Sequence, residues 1–346
     1  MKIVANYRRD DRNSLTMKTA FVGKGGSGKT TLAALFTRRL AAAGRTVLAL
    51  DADINQNLAV ALGATAERAA ALPALGEHLD EIKDYLRGDN PRIGSAAAMV
   101  KTTPPGHGSR LLRVVEVNPV YARCVREVAG VRLAVTGGFA ESDLGVACYH
   151  GKVGAVELLL NHLLDGPGEY VVVDMTAGAD AFASGLFTRF DRTFVVCEPT
   201  VRSVGVYRQY LDYARDHQVA VSVVGNKVAD AGDGEFLRVE VGADLLGCVG
   251  VSGHVRAAEQ GRVRPIGELE PANAAVLDTM RAAVDATRQD WPRFTRQGAA
   301  FHLRNAEAWG NARTGVDLST QVDPEFVLGP PALPASPGDP SHQPKE

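Results

Sequence analysis

Cysteine, net charge and long apolar runs are all scarce in this 346-residue sequence. Its four cysteines are widely separated and form no C-x-x-C pair, which argues for reduced thiols rather than a disulfide framework. A formal net charge of −2 provides no overall attraction to nucleic acid or to an anionic membrane. No apolar run is long enough to span a bilayer, and the first residues are polar rather than signal-like. We therefore expect a cytoplasmic protein without membrane or nucleic-acid partners.

The clearest functional signal is the stretch Gly23–Thr30, which satisfies the phosphate-binding pattern G-x-x-x-x-G-K-[ST]. An apolar run at 20–22 predicts a strand before it, and apolar residues at helical spacing through Arg39 predict a helix after it. Glycines let the backbone bend so that N–H groups point at a polyphosphate, and the helix N-terminus adds a positive dipole end. The sequence therefore predicts a nucleotide-binding loop between a strand and a helix.

Two lysines and a threonine give this loop its chemistry. Lys29 is predicted to reach the β- and γ-phosphates, and the Thr30 hydroxyl to bind Mg²⁺. The other predicted nucleotide-binding residues of the loop are Gly25, Gly26, Ser27, Gly28 and Thr31. Lys24 has no backbone role there, and two cations held close together without an anion would repel each other. Lys24 therefore implies a highly charged ligand, or a ligand bound by a partner.

Aspartates follow two further predicted strands. Strand, helix and strand in succession predict a parallel sheet, in which carboxylates at the C-terminal ends of strands lie at the ligand edge. Asp51 and Asp174 are predicted to serve Mg²⁺, and Asp53 to orient or activate an attacking water. The N–H of Gly178 is predicted to sense the γ-phosphate. The alternative for Asp51 or Asp53 is that one of them caps a helix.

Asn226 and Lys227 follow another predicted strand, 219–225. The amide can donate to and accept from a purine edge, while the lysine stem can cover the ring. The guanine-reading version of this pattern has an aspartate three residues after the asparagine, where this chain has Ala229. We therefore predict adenine, and ATP as the nucleotide.

Cys148 and His150 stand two residues apart before a predicted helix. A thiol and an imidazole supply two of the four ligands of a tetrahedral Zn²⁺, so a symmetric dimer could complete a Zn²⁺ or Ni²⁺ site between its subunits. The simpler alternative is a small buried thiol next to a loop histidine.

The composition divides the chain into four predicted segments. Residues 1–16 are a polar, disordered arm, and 17–288 form one P-loop ATPase domain with a surface insertion at about 64–110. Residues 289–328 form a C-terminal extension that contains both tryptophans, and 329–346 a disordered, proline-rich tail. The predicted fold class is α/β, a P-loop NTPase with a mostly parallel central sheet and helices on both faces.

Taken together, these motifs resemble the deviant Walker A ATPases, the class of MinD, ParA, the arsenical-pump ATPase and the nitrogenase iron protein. Within that class the sequence is most similar to the CooC-type ATPases that mature nickel carbon monoxide dehydrogenase. The residues that carry the resemblance are Lys24–Thr30, Asp51–Leu58, Asp174–Gly178, Glu198-Pro199 with Arg202-Ser203, and Asn226-Lys227.

The resemblance implies a homodimer in which Lys24 crosses the interface to the partner's phosphates. It also implies that Asp53 is the switch residue, and that ATP favours a closed dimer and ADP an open one, with the energy passed to a protein client such as a metalloenzyme. The chain departs from the CooC-type pattern in two places. Cys148-Tyr149-His150 replaces C-x-C, and Thr176 stands where glutamate is common.

The resulting hypothesis is a Mg-ATP-dependent dimeric switch ATPase that acts in metalloenzyme maturation. The first alternative, a ParA/MinD-type positioning ATPase, would need a terminal amphipathic membrane helix or a basic DNA face, which the proline-rich C-terminus does not supply. An iron–sulfur redox protein would need a cysteine soon after Asp174, and 175–185 contains none. A small-molecule kinase is disfavoured by Lys24 and by the lack of a recognisable acceptor site.

Overall fold

A computed structural model describes residues 18–138, 149–177, 182 and 185–333. The strands in these ranges are β1 (Lys18–Gly23), β2 (Thr46–Ala52), β3 (Leu112–Arg113), β4 (Arg126–Val128), β5 (Val131–Val135), β6 (Leu163–Leu164), β7 (Glu169–Met175), β8 (Arg192–Cys197), β9 (Ala220–Val228) and β10 (Leu245–Gly250). The α-helices are α1 (Lys29–Ala42), α2 (Leu58–Leu62), α3 (Ala66–Ala70), α4 (Leu79–Arg87), α5 (Pro119–Cys124), α6 (Tyr149–Asn161), α7 (Val201–Arg215), α8 (Ala231–Val241), α9 (Gly253–Glu259), α10 (Pro271–Asp285), α11 (Trp291–Asn305) and α12 (Asn311–Thr314).

Eight of these strands form one sheet in the order β10-β9-β8-β1-β7-β2-β5-β4. All neighbouring pairs are parallel except β4 with β5. β1 therefore lies inside the sheet, between β7 and β8, and its C-terminal end meets those of its neighbours. This arrangement confirms the predicted α/β fold.

Both faces of the sheet are covered, because successive side chains of a strand point to opposite faces. Ala20 and Val22 belong to one buried cluster, together with apolar residues of α6 and α7. Phe21 belongs to a second cluster on the other face, together with residues of α1 and α10. The near-continuous apolar runs that predicted the strands reflect this burial on both sides.

The predicted division of the chain stays a prediction, and two of its segments contain structure that the sequence did not indicate. Within the segment at about 64–110, five apolar side chains are buried in the first cluster, those of Leu75, Ile82, Leu86, Ile93 and Met99. The ordered chain also extends into the predicted disordered tail, since residues 330–332 form a short 3₁₀ turn. Residues 1–16 and 334–346 lie outside the described ranges.

The segment 289–333 packs against the N-terminal ends of the strands, opposite the predicted nucleotide loop. There the wholly buried Lys18 places its Nζ 2.7 Å from the Leu163 carbonyl oxygen and 3.0 Å from Asp165 Oδ1. The same Nζ lies 4.6 Å from the centroid of the Trp291 ring. The Lys18 backbone N–H donates to Asp191 Oδ2 at 2.9 Å. We call Lys18, Leu163, Asp165, Asp191 and Trp291 the base cluster.

No helix in the described part of the chain is long and apolar enough to cross a membrane. Cys124, Cys197 and Cys248 are free thiols.

Candidate functional site

The predicted phosphate loop joins β1 to α1, with Gly28 as the N-cap residue of the helix. Gly28 has φ 94°, and a Cβ there would lie 2.1 Å from Asn226 Nδ2. A Cβ on Gly23 would lie 2.5 Å from the Val196 carbonyl oxygen. Both positions therefore require glycine, because of a left-handed backbone and the lack of room for a side chain.

Hydrogen bonds within the chain occupy carbonyl oxygens of the loop. Asn226 Nδ2 donates to the Ser27 carbonyl at 2.8 Å, and Lys227 Nζ to the Gly26 carbonyl at 2.6 Å. The first N–H groups of a helix have no intrahelical partner, so the start of α1 offers donors to a ligand. Ser27 Oγ is buried and has no hydrogen-bond partner among the described residues. These features fit a polyphosphate, which accepts hydrogen bonds from such groups.

Asp51 and Asp174 meet side by side at the same edge. They are paired in register between β2 and β7, and both are wholly buried. Thr30 Oγ1 donates to Asp174 Oδ2 at 2.6 Å, while Asp174 Oδ1 has no partner within the described chain. Asp51 accepts from the N–H groups of Asp53, at 3.1 Å, and Leu58, at 2.9 Å. Because Leu58 is the first residue of α2, Asp51 also caps that helix, as the alternative interpretation anticipated.

The carboxyl groups of this pair are costly to ionise. Burial raises the pKa of Asp51 to about 7, although hydrogen bonds from Leu58 and Asp53 oppose the shift. Burial and the adjacent charge of Asp51 raise the pKa of Asp174 well above its usual range. A divalent cation would relieve this repulsion. Carboxylate and hydroxyl oxygens are the hard donors that Mg²⁺ prefers, and Mg²⁺ needs only one or two carboxylates beside substrate phosphates. Thr30, Asp51 and Asp174 therefore fit Mg²⁺.

Asp53 lies just beyond the end of β2 and is nearly buried. Its Oδ1 accepts from the backbone N–H and from the side-chain amide of Asn55, both at 2.9 Å. These bonds hold the carboxylate in one orientation next to the Mg²⁺-type donors. Such an orientation suits a residue that positions water.

Asn226 and Lys227 lie inside β9 rather than after it, which differs from the prediction. Asn226 supports the loop through Ser27, a contact that the sequence did not predict. Lys227 has φ 58°, and its Nζ lies 2.8 Å from Glu198 Oε1 as well as against Gly26. Reading of an adenine by this pair stays a prediction.

Lys24 also contacts Glu198, with Nζ 3.5 Å from Oε2. Its side chain is 38% exposed, so it is half-buried beside the loop. Glu198 was part of the family resemblance but was assigned no role. The available signal was its position immediately after β8, the strand next to β1.

The predicted second metal site receives no support. Cys148 and the side chain of His150 lie outside the described residues, and so does Gly178, the predicted γ-phosphate sensor. Across the ranges that the structure describes, no group of three or more His, Cys, Asp or Glu side chains could hold a metal ion.

A parallel sheet with a glycine-rich loop at its central strand and buried aspartates at adjacent strand ends defines a P-loop nucleotide-binding protein. More narrowly, the chain belongs to the family of the CobQ/CobB/MinD/ParA nucleotide binding domain, which matches residues 19–264.

Curated relatives are similar over most of this region. The chain is 30% identical over 246 residues to the carbon monoxide dehydrogenase accessory protein CooC of Rhodospirillum rubrum, covering 70% of this chain and 87% of that protein. It is 29% identical over 238 residues to an uncharacterized ATP-binding protein of Methanocaldococcus jannaschii, covering 67% and 84%.

Solved structures share the fold. A ParA family ATPase from Chlorobium tepidum TLS superposes with a TM-score of 0.53 at 13% identity, covering 76% of this chain and 96% of that one. The septum site-determining protein MinD from Pyrococcus horikoshii OT3, complexed with Mg-ADP, superposes with a TM-score of 0.52 at 15% identity, covering 78% and 96%. At these identities the likeness concerns the fold alone.

Proposed function

We propose that this protein is a homodimeric switch ATPase that hydrolyses Mg-ATP to ADP and phosphate and acts on a protein client. The observation that carries the proposal is the arrangement around one loop. Lys29 and the part-buried Thr30–Asp174 contact face the phosphate site, while Lys24 is half-buried and contacts Glu198 beside the loop. A second, partly exposed lysine beside the same loop supports a role toward a nucleotide bound by a partner subunit.

In the proposed reaction, N–H groups of residues 25–31 and the Lys29 ammonium bind the phosphates and stabilise the charge that develops on them. Thr30, Asp51 and Asp174 would hold Mg²⁺, which neutralises phosphate charge when bound. Asp53, fixed by Asn55, orients a water in line with the γ-phosphate. Asn226 and Lys227 hold the loop carbonyls, and we propose that they also contact adenine.

We further propose that Lys24 binds the phosphates of the partner subunit's nucleotide, so that ATP joins the two subunits. ATP then favours the closed dimer only by as much as its affinity for that state exceeds its affinity for the open one. Similarity to a carbon monoxide dehydrogenase accessory protein supports a metalloenzyme as the client. The proposed location is the cytoplasm.

Substitution of Lys24 tests the shared site. Lys24→Ala should still bind ATP as a monomer but should not dimerise when Mg-ATP is added, as measured by analytical ultracentrifugation. Lys83→Ala, which removes a lysine on α4, is the matched control and should dimerise like the wild type. An ATP-dependent dimer of normal strength in Lys24→Ala would refute the shared site.

The client can be identified by affinity capture. Asp53→Ala should bind ATP without hydrolysing it, and should therefore retain a client that the wild type releases. Recovery of a metalloenzyme in the presence of ATP, but not of ADP, is the expected result. Recovery of a partition or division protein instead would favour the positioning alternative.

A further inference from the structure

Glu198 connects the two lysines on either side of the phosphate loop. Its Oε1 lies 2.8 Å from Lys227 Nζ, and its Oε2 lies 3.5 Å from Lys24 Nζ. We infer that Glu198 is a positioning residue that retains Lys24 on its own subunit and competes with the partner's phosphates for the same ammonium group. This inference rests on the proposed shared site. It adds Glu198 as a competitor within each subunit, and this competitor affects the ATP-dependent dissociation constant of the dimer.

The fold places Glu198 in this position. β8 runs parallel to β1, with Val196 in register with Gly23, so the residue two positions further on lies alongside the loop. The Glu198 backbone N–H donates to Ser203 Oγ at 3.0 Å. The backbone of this glutamate is thus tied to the first turn of α7.

The carboxylate remains charged in this environment. Its side chain is only 17% exposed. Burial alone would raise the pKa of Glu198, but the contacts with Lys227 and Lys24 hold that pKa below its usual value. An ionised carboxylate with little access to water needs a cationic partner at all times, because an unpaired buried charge is strongly unfavourable.

The two contacts differ in length, so the shorter one to Lys227 is the more persistent and the longer one to Lys24 is exchangeable. Lys227 holds Glu198 at the shorter distance and is itself held by the Gly26 carbonyl. Lys24 makes the longer contact and has no other hydrogen bond or ion pair that the structure describes. When Lys24 leaves, Glu198 keeps Lys227 and is not left unpaired. The exchange of Lys24 from carboxylate to phosphate is therefore inexpensive and reversible.

Glu198→Gln removes the competing charge with little change in shape. At saturating Mg-ATP, the dissociation constant of the dimer should fall about two- to five-fold, as expected for loss of one partly exposed ion pair from the open form. Glu240→Gln breaks the exposed pair with Arg208, away from the loop, and should leave the dimer unchanged. An unchanged or weaker dimer in Glu198→Gln would overturn the inference.

A second readout needs no dimer. Loss of the neighbouring carboxylate should release the Lys24 side chain and make its amine more accessible to an acetylating reagent. Acetylation of nucleotide-free monomer, followed by mass spectrometry, should therefore modify Lys24 about two- to five-fold faster in Glu198→Gln than in the wild type, with Lys83 as the internal reference. Equal rates would refute the ion pair. If the wild type fails to dimerise with ATP, the proposed function fails, whereas this rate still tests the contact with Glu198.

Discussion

The two ends of β1 both carry buried charge, but they are satisfied differently. At the N-terminal end, the Lys18 ammonium contacts a carbonyl, a carboxylate and an aromatic ring of its own chain. At the C-terminal end, Ser27 Oγ and Asp174 Oδ1 are buried without a partner among the residues that the structure describes. Trp291 Nε1 and Asp191 Oδ1 of the base cluster are likewise buried without a hydrogen-bond partner in the described chain. The two ends therefore differ in charge: a cation lies next to a carboxylate at the base, whereas two adjacent carboxylates lie at the loop and fit a bound cation.

The difference follows from what each end must do. The base cluster joins β1 to the chain around Asp165 and to the C-terminal segment. The ion pair between Lys18 and Asp165 is therefore a permanent part of the fold. At the loop, Asp51 and Asp174 are held next to each other although burial opposes their ionisation. Such an arrangement is preorganised for a cation and a polyanion and is unfavourable without them.

The largest expected effect is on the base cluster. Lys18→Met should lower the free energy of unfolding by about 3–5 kcal/mol, because it leaves Asp165 buried without its cation. Urea denaturation measures this change, and ATP affinity of the folded variant should be unaltered. Lys83→Met, on the half-buried face of α4, is the control and should cost under about 1 kcal/mol. If the two variants were equally stable, the base cluster would have no special structural role.

At the C-terminal end of β1, loss of a lysine should instead affect ligand binding more than stability. Lys29→Ala should weaken ATP binding by about 3 kcal/mol, since a nearly buried ammonium makes charge-assisted bonds to phosphate. Calorimetric titration measures the affinity. Without nucleotide, the unfolding free energy should fall by less than about 1 kcal/mol, because the expected partner of the Lys29 ammonium is a bound phosphate and not a group of the chain itself. A large loss of stability with unchanged ATP affinity would show that the two ends are alike.

The sequence predicted the loop end far better than the base cluster. A phosphate loop has a fixed spacing of glycine, lysine and threonine, and the aspartates stand directly after apolar strands, so local patterns sufficed. The base cluster brings together Lys18, Asp165 and Trp291, which are distant in sequence and have no pattern between them. The buried region after Leu75 was missed for a related reason. Its proline- and glycine-rich spacing resembles surface loops, although Leu79, Ile82 and Leu86 in α4 do recur at helical spacing.

A smaller effect concerns pH. Asp174→Asn should stabilise the magnesium-free, nucleotide-free protein by about 1–3 kcal/mol at neutral pH, because it removes one of two adjacent buried carboxyls. The folded pKa of Asp174 is raised above the unfolded value, so the folded form binds more protons and the wild type loses stability as pH rises above about 4. The gain of the variant should therefore be larger at pH 7.5 than at pH 5 in urea denaturation. A gain that shrinks with rising pH would contradict the raised pKa.

The smallest effect concerns the aromatic contact that closes the base cluster. The wholly buried Lys18 places its Nζ 4.6 Å from the Trp291 ring, whereas the half-buried Lys101 places its Nζ 5.9 Å from the Trp309 ring. A cation over an aromatic face gains most where water is excluded. A double-mutant cycle of Lys18→Met with Trp291→Leu should give a coupling free energy of about 1–2 kcal/mol, and the matched cycle of Lys101→Met with Trp309→Leu under about 1 kcal/mol. Equal coupling in both cycles would mean that the tryptophan fills space beside Lys18 without binding its charge. The base cluster would then depend on the contacts of Lys18 with Leu163, Asp165 and Asp191.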